Sequence, residues 1–167
     1  MQNLINGVLV GRVTNNSDPD GQGKVEVEFT SLGEGSPKRW CSVASVAAGN
    51  DRGIFFMPEN KDEVLVTFDN GDFNHPFIIG HPWNPVQMPP SSQAGQRMIR
   101  SMGHTIRFVD EEENAGNRGS LIIEDAHGNV ITMTNGVMTI SASTHLNINA
   151  LSMSIMGRPV NPLGGEI

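Results

Sequence analysis

The stretch Leu121-Ile122-Ile123-Glu124-Asp125-Ala126-His127-Gly128-Asn129-Val130-Ile131-Thr132-Met133-Thr134-Asn135-Gly136-Val137-Met138-Thr139-Ile140 sets the rule for the second half of this 167-residue chain. Its apolar residues come in pairs two apart: Leu121 and Ile123, Ile131 and Met133, Met138 and Ile140. A spacing of two is the period of a β-strand, whose successive side chains point to opposite faces. Gly128, Asn129, Asn135 and Gly136 bound the pairs with turn chemistry. The pattern runs on in both directions, to Ile106 and Phe108 upstream and to Leu146, Ile148, Met153 and Ile155 downstream. From Ile123 through Ile131, Ile140 and Ile148 to Ile155, an apolar strand position recurs every seven to nine residues. The residues between are mostly Thr, Ser, Asn and Glu, as a solvated sheet face requires, and no helical period competes.

A repeating strand unit of this kind offers one apolar stripe and has no second sheet or helix to cover it. It also presents strand edges that a folded protein must pair or shield. Identical chains wrapped about a common axis answer both needs. About twelve inward side chains, at ~1.5–3 kcal/mol each for full burial, would make the association obligatory. The expectation is an intertwined triple-stranded β-helix or prism over residues 103–157, formed by a homotrimer. Its core is read as Ile106, Phe108, Leu121, Ile123, Ile131, Met133, Ile140, Leu146, Ile148, Met153 and Ile155. Three chains are the smallest number that encloses a filled prism, and the count also draws on the resemblance given below.

Residues 5–80 follow a different grammar, that of short strands separated by turns. Gly7 to Val13 is apolar and β-branched, and the cluster Asn15-Asn16-Ser17-Asp18-Pro19-Asp20-Gly21 follows it. Lys24-Val25-Glu26-Val27-Glu28-Phe29 alternates strictly. Trp40 to Val43, Glu63 to Phe68 and Pro76 to Gly80 complete five strands, with Asp69-Asn70-Gly71-Asp72 a tight turn. Ala44 to Gly49 reads as a short helical turn or a connection, and Ile54-Phe55-Phe56-Met57-Pro58 as an apolar stop. Five short strands in so few residues point to a small closed barrel of OB type over residues 1–80. Pro82, Pro85, Pro89 and Pro90, with Ser91 and Ser92, mark residues 81–102 as a linker, and residues 158–167 as read form a separate tail. The whole chain is expected to be all-β.

Composition narrows the function. A net charge of −7 and an aromatic content of 5% argue against a nucleic-acid protein, which needs a basic face and stacking platforms. The single cysteine, Cys41, excludes an intrachain disulfide. No basic, apolar leader opens the sequence and no run nears the ~20 apolar residues of a membrane span.

In order and spacing, several segments of the first half resemble the OB-fold domain of phage baseplate protein V and of VgrG spikes. They are Gly7-Val8-Leu9-Val10-Gly11-Arg12-Val13, Asp18-Pro19-Asp20-Gly21-Gln22-Gly23-Lys24-Val25-Glu26-Val27, Gly53-Ile54-Phe55-Phe56-Met57-Pro58-Glu59 and Asp62-Glu63-Val64-Leu65-Val66-Thr67-Phe68. Ile122-Ile123-Glu124-Asp125-Ala126-His127-Gly128-Asn129-Val130-Ile131-Thr132-Met133 is similar to the entry into their C-terminal β-helix. The resemblance implies a structural spike or central baseplate protein of a contractile tail or injection system: phage tail, tailocin, type VI-like or extracellular. Such a spike transmits contraction force to pierce an envelope.

The resemblance also implies its partners. They are two further copies of the chain, a separate tail hub protein at the barrel end, and a PAAR-type cap at the C-terminal apex. The cap would meet Pro159, Val160, Pro162, Leu163, Gly164, Gly165 and Ile167. With about six residues ahead of Gly7, the hub is expected to be a separate protein. The protein is expected to be made in the cytoplasm, to assemble into a virion tail or baseplate, to bind no nucleic acid, and to touch the target membrane only during puncture. A second class of function, an OB-fold module for oligonucleotide or carbohydrate, fits the acidic balance less well.

No catalytic set, metal site or cofactor is expected. Asp110-Glu111-Glu112-Glu113 sits in a loop-like stretch that would not tune carboxylate pKa values. The histidines His75, His81, His104, His127 and His145 include no His-x-His pair, and Cys41 beside Trp40 reads as a small buried hydrophobe. The interval between barrel and repeats is also too short to hold an inserted lysozyme domain, which some large-phage spikes carry there.

Overall fold

The strict alternation in β2 (Lys24–Glu28) becomes one buried and one wet face: Val25 and Val27 are fully buried, while Lys24, Glu26 and Glu28 stay partly exposed. In this computed structural model, which describes residues 4–33, 35–110 and 119–160, β2 lies between β1 (Leu9–Asn15) and β3 (Lys38–Val43), antiparallel to both. A small hairpin follows, β4 (Ala48–Gly49) with β5 (Arg52–Gly53). Then β6 (Glu63–Phe68) pairs antiparallel with both β1 and β7 (Pro76–Gly80). Because β7 also runs parallel to β3, the ring closes in the order β1-β2-β3-β7-β6. Closure leaves the barrel no free edge.

The barrel is filled mainly by β-branched side chains from alternating strand positions. Val13, Val25, Val27, Phe29, Cys41, Val64, Val66, Phe68 and Ile78 form its buried core. The rings of Phe29, Phe68 and Phe73 pack with centroids 5.4–5.7 Å apart, tilted as aromatic quadrupoles prefer. Arg39 lays its guanidinium 4.5 Å from the Phe73 ring centre, a cation–π contact over that cluster. The Val27 side chain fills the space beside Gly11 of β1, where a Cβ would sit 2.2 Å from Cγ1 of Val27.

The β1–β2 loop is organised by one carboxylate. Asp18 accepts the backbone N–H groups of Asp20, Gln22 and Lys24 at 3.0, 2.7 and 3.0 Å. These bonds, that from Lys24 first, hold its carboxyl below the usual carboxylate range. Among the described residues the only helical turns are two 3-10 turns, Thr30–Leu32 and Asp69–Gly71, and no helix is long and apolar enough to cross a membrane.

The segment read as a helical turn or connection, Ala44 to Gly49, instead enters the β4–β5 hairpin, whose turn holds Asp51 at positive φ. The segment read as linker also has more structure than its prolines suggested. Asn84 to Gln87 forms a turn fastened to the barrel: Asn84 Nδ2 donates to Glu63 Oε2 at 2.8 Å, and Gln87 Nε2 to Asp62 Oδ1 at 2.7 Å. The chain divides into two units at Pro89 and Pro90, inside the proline cluster. Beyond the last proline nothing prevents a strand, and Gln96–Ser101, expected as linker, forms β8.

The second unit is a five-stranded antiparallel meander of β8, β9 (His104–Val109), β10 (Ser120–Glu124), β11 (Val130–Thr134) and β12 (Val137–Ser141). Asn135-Gly136 joins β11 to β12 with both φ values positive, 48° and 77°. A turn of that hand matches the twist of the flanking strands, and Asn and Gly are the residues that tolerate it. The β10–β11 turn is built on Asp125, which accepts from the N–H groups of His127 and Asn129 at 2.8 and 2.9 Å and from Asn129 Nδ2 at 2.6 Å. These bonds, the Asn129 side chain first, hold the Asp125 carboxyl down to about 2. A last hairpin pairs β13 (Met153–Ile155) with β14 (Arg158–Val160).

Within one chain, residues 96–141 therefore fold side by side as consecutive hairpins and do not coil about an axis. The seven-to-nine-residue recurrence over the early repeats is that of a strand plus a tight turn. Residues 142–152 form no strand, so Leu146 and Ile148 lie outside the sheet. Pro159, expected to stop the ladder, sits within β14 opposite Ser154. Pro162, Leu163, Gly164, Gly165 and Ile167 fall outside the described residues, as do Glu111, Glu112 and Glu113.

Candidate assembly interface

Register decides what the meander can do. Directly opposed residues share a face, and here Ile99 opposes Ile106, Ile106 opposes Ile123, Ile123 opposes Ile131 and Ile131 opposes Ile140. One isoleucine from each of five strands thus forms an unbroken row. Two residues along, Arg97, Phe108, Leu121, Met133 and Met138 form a second row on the same face. The opposite face carries Arg100, Thr105, Arg107, Glu124, Thr132 and Thr139 among its residues, and so is far more polar.

The apolar face is open in the single chain. Ile99, Phe108, Met138 and Ile140 keep 52%, 46%, 61% and 54% of their surface exposed, and Ile106, Ile123 and Met133 nearly two-fifths. An alternating sheet normally buries its greasy side and wets the other. Here the greasy side is the exposed one, which marks an interaction surface. Arg97 closes one end of its row with a salt bridge to Asp110.

Of the core residues expected from sequence, the structure brings Ile106, Phe108, Leu121, Ile123, Ile131, Met133 and Ile140 together on this face. Met153 and Ile155 lie on the separate β13 hairpin, and Leu146 and Ile148 are exposed in the strandless stretch. Ile99 was missed by sequence reasoning. Its signal was the two-residue spacing Arg97-x-Ile99 ahead of Met102-Gly103, hidden by the nearby prolines.

The barrel has an apolar surface of its own. Phe55 and Phe56, read as part of an apolar stop, are 80% and 58% exposed, with Ile54 and Val46 beside them. They line a hollow of about 740 Å³ next to the β4–β5 hairpin.

Chemically the described residues are quiet. Cys41 is fully buried in the barrel core, and burial pushes its thiol up to about 12, far from a nucleophilic thiolate at neutral pH. His75 Nδ1 lies 2.9 Å from Asp72 Oδ2, within a turn that Asp72 also caps through the Asn74 N–H. Among the described residues no three His, Cys, Asp or Glu side chains converge as metal ligands.

Residues 9–83 match the family of the type VI secretion system/phage-baseplate injector OB domain. Among curated proteins, the chain is similar to the actin cross-linking toxin VgrG1 of Vibrio cholerae serotype O1, at 32% identity over 75 residues. That alignment covers 42% of this chain and 7% of the length of the toxin.

Proposed function

We propose that the chain, whose residues 9–83 match the injector OB domain of type VI secretion systems and phage baseplates, is a homotrimeric spike or central baseplate protein of a contractile injection machine. The observation that carries this reading is the two-row apolar face of β8 to β12. Three such faces turned toward one axis enclose a dry prism and account for side chains that a lone chain leaves in water. The strandless stretch with Leu146 and Ile148, and the β13–β14 hairpin, then continue the same axis as a narrower intertwined segment.

In this reading the barrel attaches to the tail hub, the prism carries axial force, and residues 158–167 from three chains make a blunt apex for a PAAR-type cap. The exposed Phe55-Phe56 surface gives the barrel a means of holding a neighbouring component. The role is mechanical, with catalysis left to other parts of the machine. Its stability would be kinetic, because separating the copies exposes all three apolar faces at once.

Light scattering on the purified chain tests the reading. The expected mass is about three times 18.0 kDa, retained on warming. A folded single-chain mass at micromolar concentration rules it out. Deleting residues 158–167 is expected to leave that mass unchanged and to abolish capture of the cap in a pull-down; capture by the truncated chain would remove the apex from the proposal.

A further inference from the structure

The polar face of the meander holds a second feature, independent of assembly. A hollow of about 380 Å³ lies between that face and the segment that leads into β8. Its lining includes Ser91, Ser92, Arg100, Thr105, Arg107 and Glu124. Arg100 opposes Thr105 and Arg107 opposes Met98, so the two arginines are diagonal neighbours on adjacent strands. With two guanidinium groups and one carboxylate in its lining, the hollow is net positive in a chain whose net charge is −7.

The donors there outnumber their acceptors. Arg107 Nη2 lies 3.7 Å from Glu124 Oε2, an ion pair too long for a hydrogen bond. Arg107 Nε is buried and has no acceptor within hydrogen-bond reach. The Arg107 side chain as a whole keeps 32% of its surface exposed, but a buried N–H without an acceptor is costly and is rare in folded proteins. The rim is held in place: Ser91 Oγ donates to Gln96 Oε1 at 3.1 Å and accepts from the Gln93 N–H at 3.1 Å.

We infer that this hollow is an oxyanion site, which takes a phosphate group on the guanidinium groups of Arg100 and Arg107. Guanidinium presents a planar fork of donors that fits phosphate oxygens, and the Ser92 and Thr105 hydroxyls stand ready as neutral donors. The group can arrive as free phosphate or as the headgroup of an anionic lipid, and the chemistry of capture is the same.

The test is a titration of the full chain with inorganic phosphate by calorimetry, run beside co-sedimentation with phosphatidylglycerol vesicles. Saturable phosphate binding that weakens at least tenfold in Arg100→Gln supports the site with free phosphate as ligand. Vesicle binding lost in Arg100→Gln, without free-phosphate binding, supports it with the lipid headgroup. Glu124→Gln removes the competing carboxylate and is expected to tighten binding severalfold, whereas a purely structural Arg107–Glu124 pair would gain nothing from that change. Arg100 is exposed, so its substitution leaves the fold intact and keeps the outcome readable even if Arg107→Gln does not fold. Absence of both kinds of binding, or binding indifferent to Arg100→Gln, overturns the assignment.

Discussion

Replacing Ile123 by Asp puts a charge at the centre of the isoleucine row, with Ile106 on one side and Ile131 on the other. Ile123 keeps 39% of its surface exposed in the single chain. Full burial of an isoleucine is worth ~1.5–3 kcal/mol, so covering what remains contributes about 1 kcal/mol per chain. The seven side chains of this face that stay two-fifths exposed or more, or close to it, together give about 7 kcal/mol per chain, or roughly 20 kcal/mol for three. Each of the two associations that build a trimer costs about 4–15 kcal/mol. The substitution removes about 3 kcal/mol of burial from a trimer and adds three unpaired carboxylates to a dry face, at several kcal/mol each. A loss of about 10 kcal/mol or more is enough to abolish association at micromolar concentration. Light scattering should therefore report three times 18.0 kDa for the native chain and 18.0 kDa for Ile123→Asp. The matched control is Thr139→Asp, on the same meander but its polar face, which is expected to keep the triple mass. If Ile123→Asp retains that mass, or if Thr139→Asp dissociates as readily, the face is not the interface.

Three further outcomes follow from single residues. Gly11→Ala places a methyl where Val27 already stands and is expected to cost about 1–3 kcal/mol, read as a lower Tm of the barrel; adding Val27→Ala should recover part of the loss, and strict additivity would refute the clash. Asp125 has its carboxyl depressed to about 2 against an unfolded value near ~3.9, so the stability it lends the β10–β11 turn is present above about pH 4 and is lost as pH falls toward 2. The Asn129 amide resonance is expected to titrate with that low midpoint, and a midpoint near 4 would show that the turn bonds do not hold the carboxylate. Cys41 should resist thiol reagents at pH 8 until the barrel unfolds; labelling of the native protein at the rate of a free thiol would contradict its burial.

Much of the fold was readable because its periodicities are strong. Lys24 to Glu28 alternates without interruption and Glu63 to Phe68 does so except at Leu65, and both became barrel strands with one side in. The paired residues of the second half were likewise legible as strands, apart from Leu146 and Ile148, and their register brings eight of them onto one face. The path of the chain between strands was not legible. A recurrence of seven to nine residues is equally the length of a strand with a tight turn and the length of one side of a coil about an axis, and spacing cannot separate the two. Strand β8 was hidden for another reason: four prolines nearby dominated the reading, though a proline constrains only its own residue and the one before it. The Phe55-Phe56 surface was missed because two adjacent aromatics in a strandless stretch carry no period that says which way they point.

The closed ring of the first unit and the two outer strands of the second lead to different kinds of recognition. A closed ring has no free strand edge, so whatever fastens to its wall must grip side chains, and that grip is rewritable one substitution at a time. The outer edges of β8 and β12 offer main-chain donors and acceptors that are the same whatever residues carry them. Mutational drift can therefore retune what the first half holds while leaving the docking grammar of the second almost untouched.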